Sequence, residues 1–244
     1  INRTFRSMTT IAILFWTGVF LVFYTYLGYG ILLWTLVKIR EALRPARRYE
    51  VPAEAPEVTL LIAAYNEQEI VAEKMANCRA LEYPAGKLRT TWITDGSTDR
   101  TVELLAAYPD ATVLHDARRG GKTAALNRAL EHIRTPLVVF TDANTMLNPE
   151  AVTEIVRCFE DPQVGCVAGE KRVADAGGAG AAATEGVYWK YESKLKELDY
   201  RLYSAVGAAG ELFAVRRGLW QTLPEDTLLD DFVCSMLIAA QGYN

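Results

Sequence analysis

VTLLIAA (residues 58–64), EQEIVAEKMANCRAL (67–81) and LRTTWIT (88–94) are the segments on which the fold turns. The first is a short, largely apolar run, the second has the period of a helix, and the third is a second strand. DRTVELLAAY (99–108), ATVL (111–114), KTAALNRALEHI (122–133) and PLVVFT (136–141) continue the alternation. Strand and helix exchanging at this spacing predict an α/β chain with a mostly parallel, Rossmann-like sheet wound with helices.

In such sheets ligands bind beyond the carboxyl ends of the strands. The polar clusters fall at those ends: Tyr65, Asn66 and Glu67 after the first strand, Asp95 to Asp99 after the second, and Asp142, Ala143 and Asn144 after the strand of VVFTDANTML (138–147). Asp142 and Asn144 flank one residue, so both side chains can turn to one point. Two hard oxygens on a short loop suit Mg²⁺ or Mn²⁺ completed by substrate phosphates, and an Asx-turn is the competing reading. Asn148, before Pro149 and Glu150, reads as a helix N-cap, and so does Asp99. Asp95 stands at the strand end itself, where a carboxylate can accept a hydrogen bond from a base or ribose.

In RRGGKTAALN two glycines and Lys122 open a helix, and backbone N–H groups with an ammonium make a phosphate site or a solvated basic turn. A Walker loop is excluded, because the position of its first glycine holds Asp116. Further on, residues 174–186 are small, either a mobile active-site loop or a connector. VYWKYESKLKELDYRL (187–202) reads as an amphipathic helix, GELFAVRR (210–217) as a strand and DDFVCSMLIAAQ (230–241) as a last helix. Asp230 and Asp231 cap that helix or supply a general base.

The front of the chain is different. No charged residue lies between Arg6 and Lys38, an apolar run longer than the ~20 residues needed to cross a bilayer. It is too long for the ~7–15-residue core of a cleavable signal peptide, and a buried soluble helix is the other reading. Residues 1–40 are therefore expected to hold one transmembrane helix, 41–57 a linker, and 58–244 the α/β domain. Lys38, Arg40, Arg44, Arg47 and Arg48 follow the run, which puts the domain on the cytosolic side of a plasma or inner membrane. A net charge of −4 without a basic patch argues against nucleic acid. Four cysteines without CxxC spacing and only His115 and His132 leave little material for a zinc site or a Ser/His/Asp triad. The chain is expected to be a fragment of a longer protein.

Taken in order, AAYNE, TDGSTD, GGKTAALN, FTDAN, GAAGELFAVRR and LLDDF resemble the successive landmarks of the family 2 glycosyltransferases, the GT-A-fold group that includes cellulose, hyaluronan, chitin and poly-N-acetylglucosamine synthases. The resemblance covers nearly all of residues 57–244. It implies that Ala64, Tyr65 and Glu67 with Asp95 hold the uridine of a UDP-sugar, and that Lys122 lies near the diphosphate. Asp142 and Asn144 would be the metal-binding DxD, with Asp231 the catalytic base and Asp230 beside it. The implied reaction is inverting transfer from a UDP-sugar to a saccharide or lipid-linked acceptor. Asn144 departs from the family by offering a neutral carbonyl where a carboxylate is commoner. A sugar-1-phosphate nucleotidylyltransferase is the rival enzyme, although LIAAYNE lacks the glycine-rich signature of that class. A membrane-tethered nucleotide-binding protein with a decayed site is the third reading.

Overall fold

The computed structural model describes residues 2–43, 54–170, 181–205 and 207–244. Helix α1 (Asn2–Phe23), a single π-helical turn (Tyr24–Gly28) and helix α2 (Tyr29–Leu43) run on without a break. Within them Met8–Leu43, 36 residues, is long and apolar enough to cross a bilayer. At 1.5 Å per residue that is about 54 Å against a hydrocarbon core of ~30 Å. The helix thus takes in the start of the expected linker, and most of what remains of that segment lies outside the described residues.

The N-terminal helices and Lys190–Ser204 form one compact unit. Leu33 and Val37 are buried there with Leu198. Tyr29 Oη donates to Asp199 Oδ1 at 2.8 Å, and Arg201 pairs with Glu41. All of Lys190–Ser204 but Tyr203 and Ser204 belongs to helix α7 (Ala181–Leu202), which starts earlier than its amphipathic pattern, because alanine is the best helix former and three alanines open it. Residues 174–180 of the small-residue stretch lie outside the described residues.

The other unit is built on a six-stranded sheet, order β3-β2-β1-β4-β6-β5, with β1 (Val58–Ala64), β2 (Leu88–Asp95), β3 (Ala111–Asp116), β4 (Leu137–Asp142), β5 (Cys166–Ala168) and β6 (Leu212–Arg216). The first four strands are mutually parallel, and β6 runs antiparallel between β4 and β5. Both faces of β1 are covered, which is why it reads as a nearly unbroken apolar run instead of an alternating one. Leu60 and Ile62 pack with Met75 of α3 (Val71–Arg79) and Val152 of α6 (Ala151–Cys158). On the opposite face Leu61 packs with Leu126 of α5 (Lys122–His132) and Ile238 of α8 (Asp230–Ala240). Phe140 stacks on Phe213 across β4 and β6, 4.5 Å between ring centres.

Two elements depart from the sequence expectation. Helix α4 is only Thr101–Leu105, since Pro109 disfavours helical backbone at the residue before it and the chain turns early. Strand β5, three residues at the sheet edge, carries too little pattern to be read from sequence.

Register decides where the site forms. Ala63 sits opposite Asp142, Ala64 opposite Thr94, and Asp95 opposite Asp116, so the carboxyl ends of four parallel strands share one edge. Gly96 turns the chain there with φ +68°, and a Cβ on it would lie 2.8 Å from the Arg119 nitrogen. Gly86 has a similar φ of +76° but open space around it. Alanine at Gly86 should therefore cost about 1 kcal/mol, the ordinary left-handed penalty, and alanine at Gly96 roughly 2–3 kcal/mol more, as read by denaturant unfolding.

Candidate active site

The loops after β1 and β2 are bound to each other. Asn66, held at φ +55°, accepts from the Thr98 N–H at 2.8 Å, while its own N–H donates to Ser97 Oγ at 3.2 Å. The Glu67 N–H donates to Thr101 Oγ1 at 2.8 Å, and the Gln68 N–H to Asp99 Oδ2 at 3.1 Å. Asp99 also accepts from the Thr101 N–H and hydroxyl, and the hydrogen bonds hold its carboxyl below the usual range against the opposing effect of burial. Asp99 thus satisfies the first amide of α4 from one residue ahead of the N-cap position, which Arg100 holds. Ala64 is buried at the end of β1, and the Tyr65 ring lies half-exposed under the Arg119 guanidinium, 3.8 Å from its centre. That is a flat polar-aromatic wall of the kind a base stacks on.

Asp95 has two neighbours that sequence did not assign to it. Its Oδ2 accepts from the N–H groups of Gly120 (2.9 Å) and Gly121 (2.7 Å). Its Oδ1 is buried without a hydrogen-bond partner, 3.7 Å from Arg128 Nη1. Arg128 also lies 3.7 Å from Asp116 Oδ2 and donates to the Thr94 carbonyl. The glycine N–H groups read as a phosphate cradle are therefore turned toward Asp95 in this structure, and Lys122 alone of that motif faces the acidic cluster.

The loop after β4 is a turn that closes without the Asp142 and Asn144 side chains. The Thr145 N–H bonds the Asp142 carbonyl at 3.2 Å, so the backbone itself closes the turn. Asp142 Oδ1 instead accepts from Lys122 Nζ at 2.7 Å, and Asn144 is exposed with no hydrogen bond from its side chain among the described residues. Neither makes an Asx-turn. Asn148 does not cap α6 either; its amide donates to Glu150, the residue at the N-cap position. Asp230 and Asp231 open α8, whose N-cap Leu229 makes no side-chain capping bond, so neither acid is engaged as a cap.

Ala63, Lys122, Thr141, Asp142, Gly210 and Asp230 line one narrow crevice. Asp230 is 6% exposed, its Oδ2 has no hydrogen-bond partner, and burial pushes its carboxyl up. Asp231 is half-exposed beside Gly210, where an added Cβ would stand 3.2 Å from its Oδ2. Burial works against the charge of Lys122, but the Asp142 hydrogen bond and the nearby Asp230 and Asp231 outweigh it and raise its pKa. Burial, with Asp142 and Asp99 close by, raises Glu67.

Sequence reading missed Lys74. It is fully buried, its Nζ donates to Thr141 Oγ1 at 3.3 Å and to the Thr145 carbonyl, and burial draws its pKa down to about 8. A signal existed: Lys74 falls at helical spacing with Val71, Met75 and Cys78 on the buried face of α3.

Among the described residues no group of three or more His, Cys, Asp or Glu could hold a metal alone. Asp142 with a free Asn144 oxygen, and a lysine ammonium already seated on the carboxylate, fit a hard divalent cation that takes its remaining ligands from phosphates.

A mostly parallel sheet wound with helices, with carboxylates gathered at its strand ends, is a fold of GT-A type. The model for glycosyl transferase family 2 matches residues 59–223, and the chain belongs to that family. It is 30% identical over 201 residues to beta-monoglucosyldiacylglycerol synthase of Nostoc sp. strain PCC 7120, covering 75% of this chain and 41% of that protein. It is 26% identical over 197 residues to poly-beta-1,6-N-acetyl-D-glucosamine synthase of Staphylococcus aureus, covering 76% and 46%. It thus spans less than half the length of these two relatives. The mannosyltransferase PcManGT from Pyrobaculum calidifontis, solved in complex with GDP-Man and Mn²⁺, superposes with a TM-score of 0.74 at 28% identity, covering 91% of this chain and 62% of that one.

Asp95→Ala should release the two glycine N–H groups and lower stability by about 3–6 kcal/mol, since two hydrogen bonds to a charged acceptor are lost and each contributes ~1.5–3 kcal/mol. Hydrogen exchange should show Gly120 and Gly121 losing protection ahead of the β1 amides.

Proposed function

We propose that the chain transfers a sugar from a UDP-sugar to an acceptor hydroxyl with inversion, in glycolipid or polysaccharide synthesis at a membrane. The observation that carries this reading is the crevice in which Lys122 and Asp142 pair at 2.7 Å beside Asp230, whose buried Oδ2 has no hydrogen-bond partner. Tyr65 and Asp95 supply a stacking wall and an acceptor for a base, with Ala64 and Glu67 bordering it. Lys122 balances charge on a diphosphate leaving group, and a Mg²⁺ or Mn²⁺ ion bound at Asp142 and Asn144 would supply further charge stabilisation there. Asp231, open to solvent, takes the proton of the attacking hydroxyl, while Asp230 stays inside the crevice facing Lys122. Leu228 (93% exposed), Leu229, Phe232 and Met236 stand exposed around the two acids and suit an acceptor with an acyl portion.

Membrane action is supported by the apolar helix Met8–Leu43, and a cytosolic domain by the basic residues that follow the apolar run. In this proposal one spanning segment within residues 1–40 and a linker, 41–57, precede a transferase domain, 58–244. The likeness to a GDP-Man complex favours a second reading in which the donor is a GDP-sugar. A buried carboxylate can accept from the N–H groups of either base.

A panel of UDP- and GDP-sugars, with nucleoside diphosphate release as readout, separates the two. Release from UDP-sugars alone, abolished by EDTA and restored by Mn²⁺, is expected; release from GDP-sugars alone would move the donor to the second reading. In the same assay Asp231→Asn should transfer about 10²–10⁴-fold more slowly, the usual worth of a positioned base, with donor binding by calorimetry preserved. Near-normal transfer by that variant, with loss in Asp230→Asn, would exchange their roles.

A further inference from the structure

No solvent reaches Lys74, and no carboxylate among the described residues is hydrogen-bonded to it. Its two acceptors bracket the acidic turn: Thr141 immediately precedes Asp142, and Thr145 closes the turn through its N–H to the Asp142 carbonyl. One helical turn further along α3, Asn77 donates to the Leu147 carbonyl at 2.7 Å and accepts from the Leu147 N–H at 2.9 Å. A single helix therefore grips residues 141–147 at three points, and only Lys74 grips beside Asp142.

Stability does not account for an ammonium at this position. Burying a charge costs several kcal/mol, a hydroxyl and one carbonyl offset it less well than a carboxylate would, and replacing buried charges by apolar groups of similar volume is often neutral or stabilising. Met75 and Cys78, on the same face, make the apolar solution.

We propose that Lys74 is a positioning residue for the Asp142–Asn144 turn: its two hydrogen bonds fix the direction of the Asp142 carboxylate and the Asn144 amide, and thereby the affinity for a divalent cation carrying a nucleoside diphosphate. This rests on the reading that a metal–nucleotide binds at that turn. Partners that orient metal ligands from behind typically change metal affinity 10–100-fold when removed. The ammonium also repels a cation through space, so the sign of the change separates the two effects. Loss of orientation weakens Mn²⁺ binding, whereas loss of repulsion tightens it.

The experiment titrates Mn²⁺ into the full chain in the presence of UDP, following the electron paramagnetic resonance signal of free Mn²⁺, with thermal melts and metal-free UDP calorimetry alongside. Lys74→Met should weaken Mn²⁺ binding about 10–100-fold, leave metal-free UDP affinity unchanged, and melt no lower than the parent. Thr141→Val, which removes one acceptor with little change of shape, should weaken Mn²⁺ binding in the same direction by less, and it decides the matter if Lys74→Met does not fold. Lys74→Arg, keeping charge and donors, should recover part of the affinity. Unchanged or tighter Mn²⁺ binding in the folded variant overturns the proposal, and so does a loss of metal-free UDP binding by the same factor with a lowered melt, the mark of a structural role alone. A parent protein without Mn²⁺-dependent UDP binding overturns the functional reading itself, a result separate from either.

Discussion

Burial of both faces of the parallel sheet is the constraint from which the rest follows. With Leu60 and Ile62 packed under α3 and α6, and Leu61 under α5 and α8, a slip of one residue in β1 would exchange the two packed faces. The register is thereby fixed, and polar side chains are confined to places where strands stop. Parallel strands all stop at the same edge in the same sense. Asp95, Asp116 and Asp142, far apart in the chain, end up along one line.

Gathering acids on one edge creates a charge problem that three cations meet in different ways. Lys122 sits directly on Asp142, Arg128 stands between Asp95 and Asp116, and Lys74 approaches the Asp142 turn from inside the protein. Asp230 is left with a buried, unpartnered oxygen and a raised pKa. The turn after β4 is closed through the Thr145 N–H to the Asp142 carbonyl, which leaves the Asp142 carboxylate and the Asn144 amide outside that closure.

The backbone at the carboxyl edge of the sheet is stiffened by specific local chemistry. Asn66 tolerates a positive φ and uses its amide to tie the first loop to the second, as Gly96 lets Arg119 approach too closely for any Cβ. These positions bear no reacting group, yet they tie together the loops that follow β1 and β2, next to Tyr65, Glu67 and Asp95.

The parallel α/β order, the long apolar helix and the positions of Asp95, Asp142, Asp230 and Asp231 were legible in the amino-acid sequence, since strand and helix periods and the residues that end them are local properties of the chain. The antiparallel pairing of β6 with β4 was not, because pairing joins segments some seventy residues apart and follows from which apolar face remains uncovered. The same holds for side-chain roles. Asp95 as the anchor of Gly120 and Gly121, and Lys74 beneath the acidic turn, depend on partners brought together only by packing. Whether a charged residue on an apolar stripe is exposed at its edge or buried and hydrogen-bonded is settled by the neighbouring strand, and a one-dimensional pattern contains no neighbour.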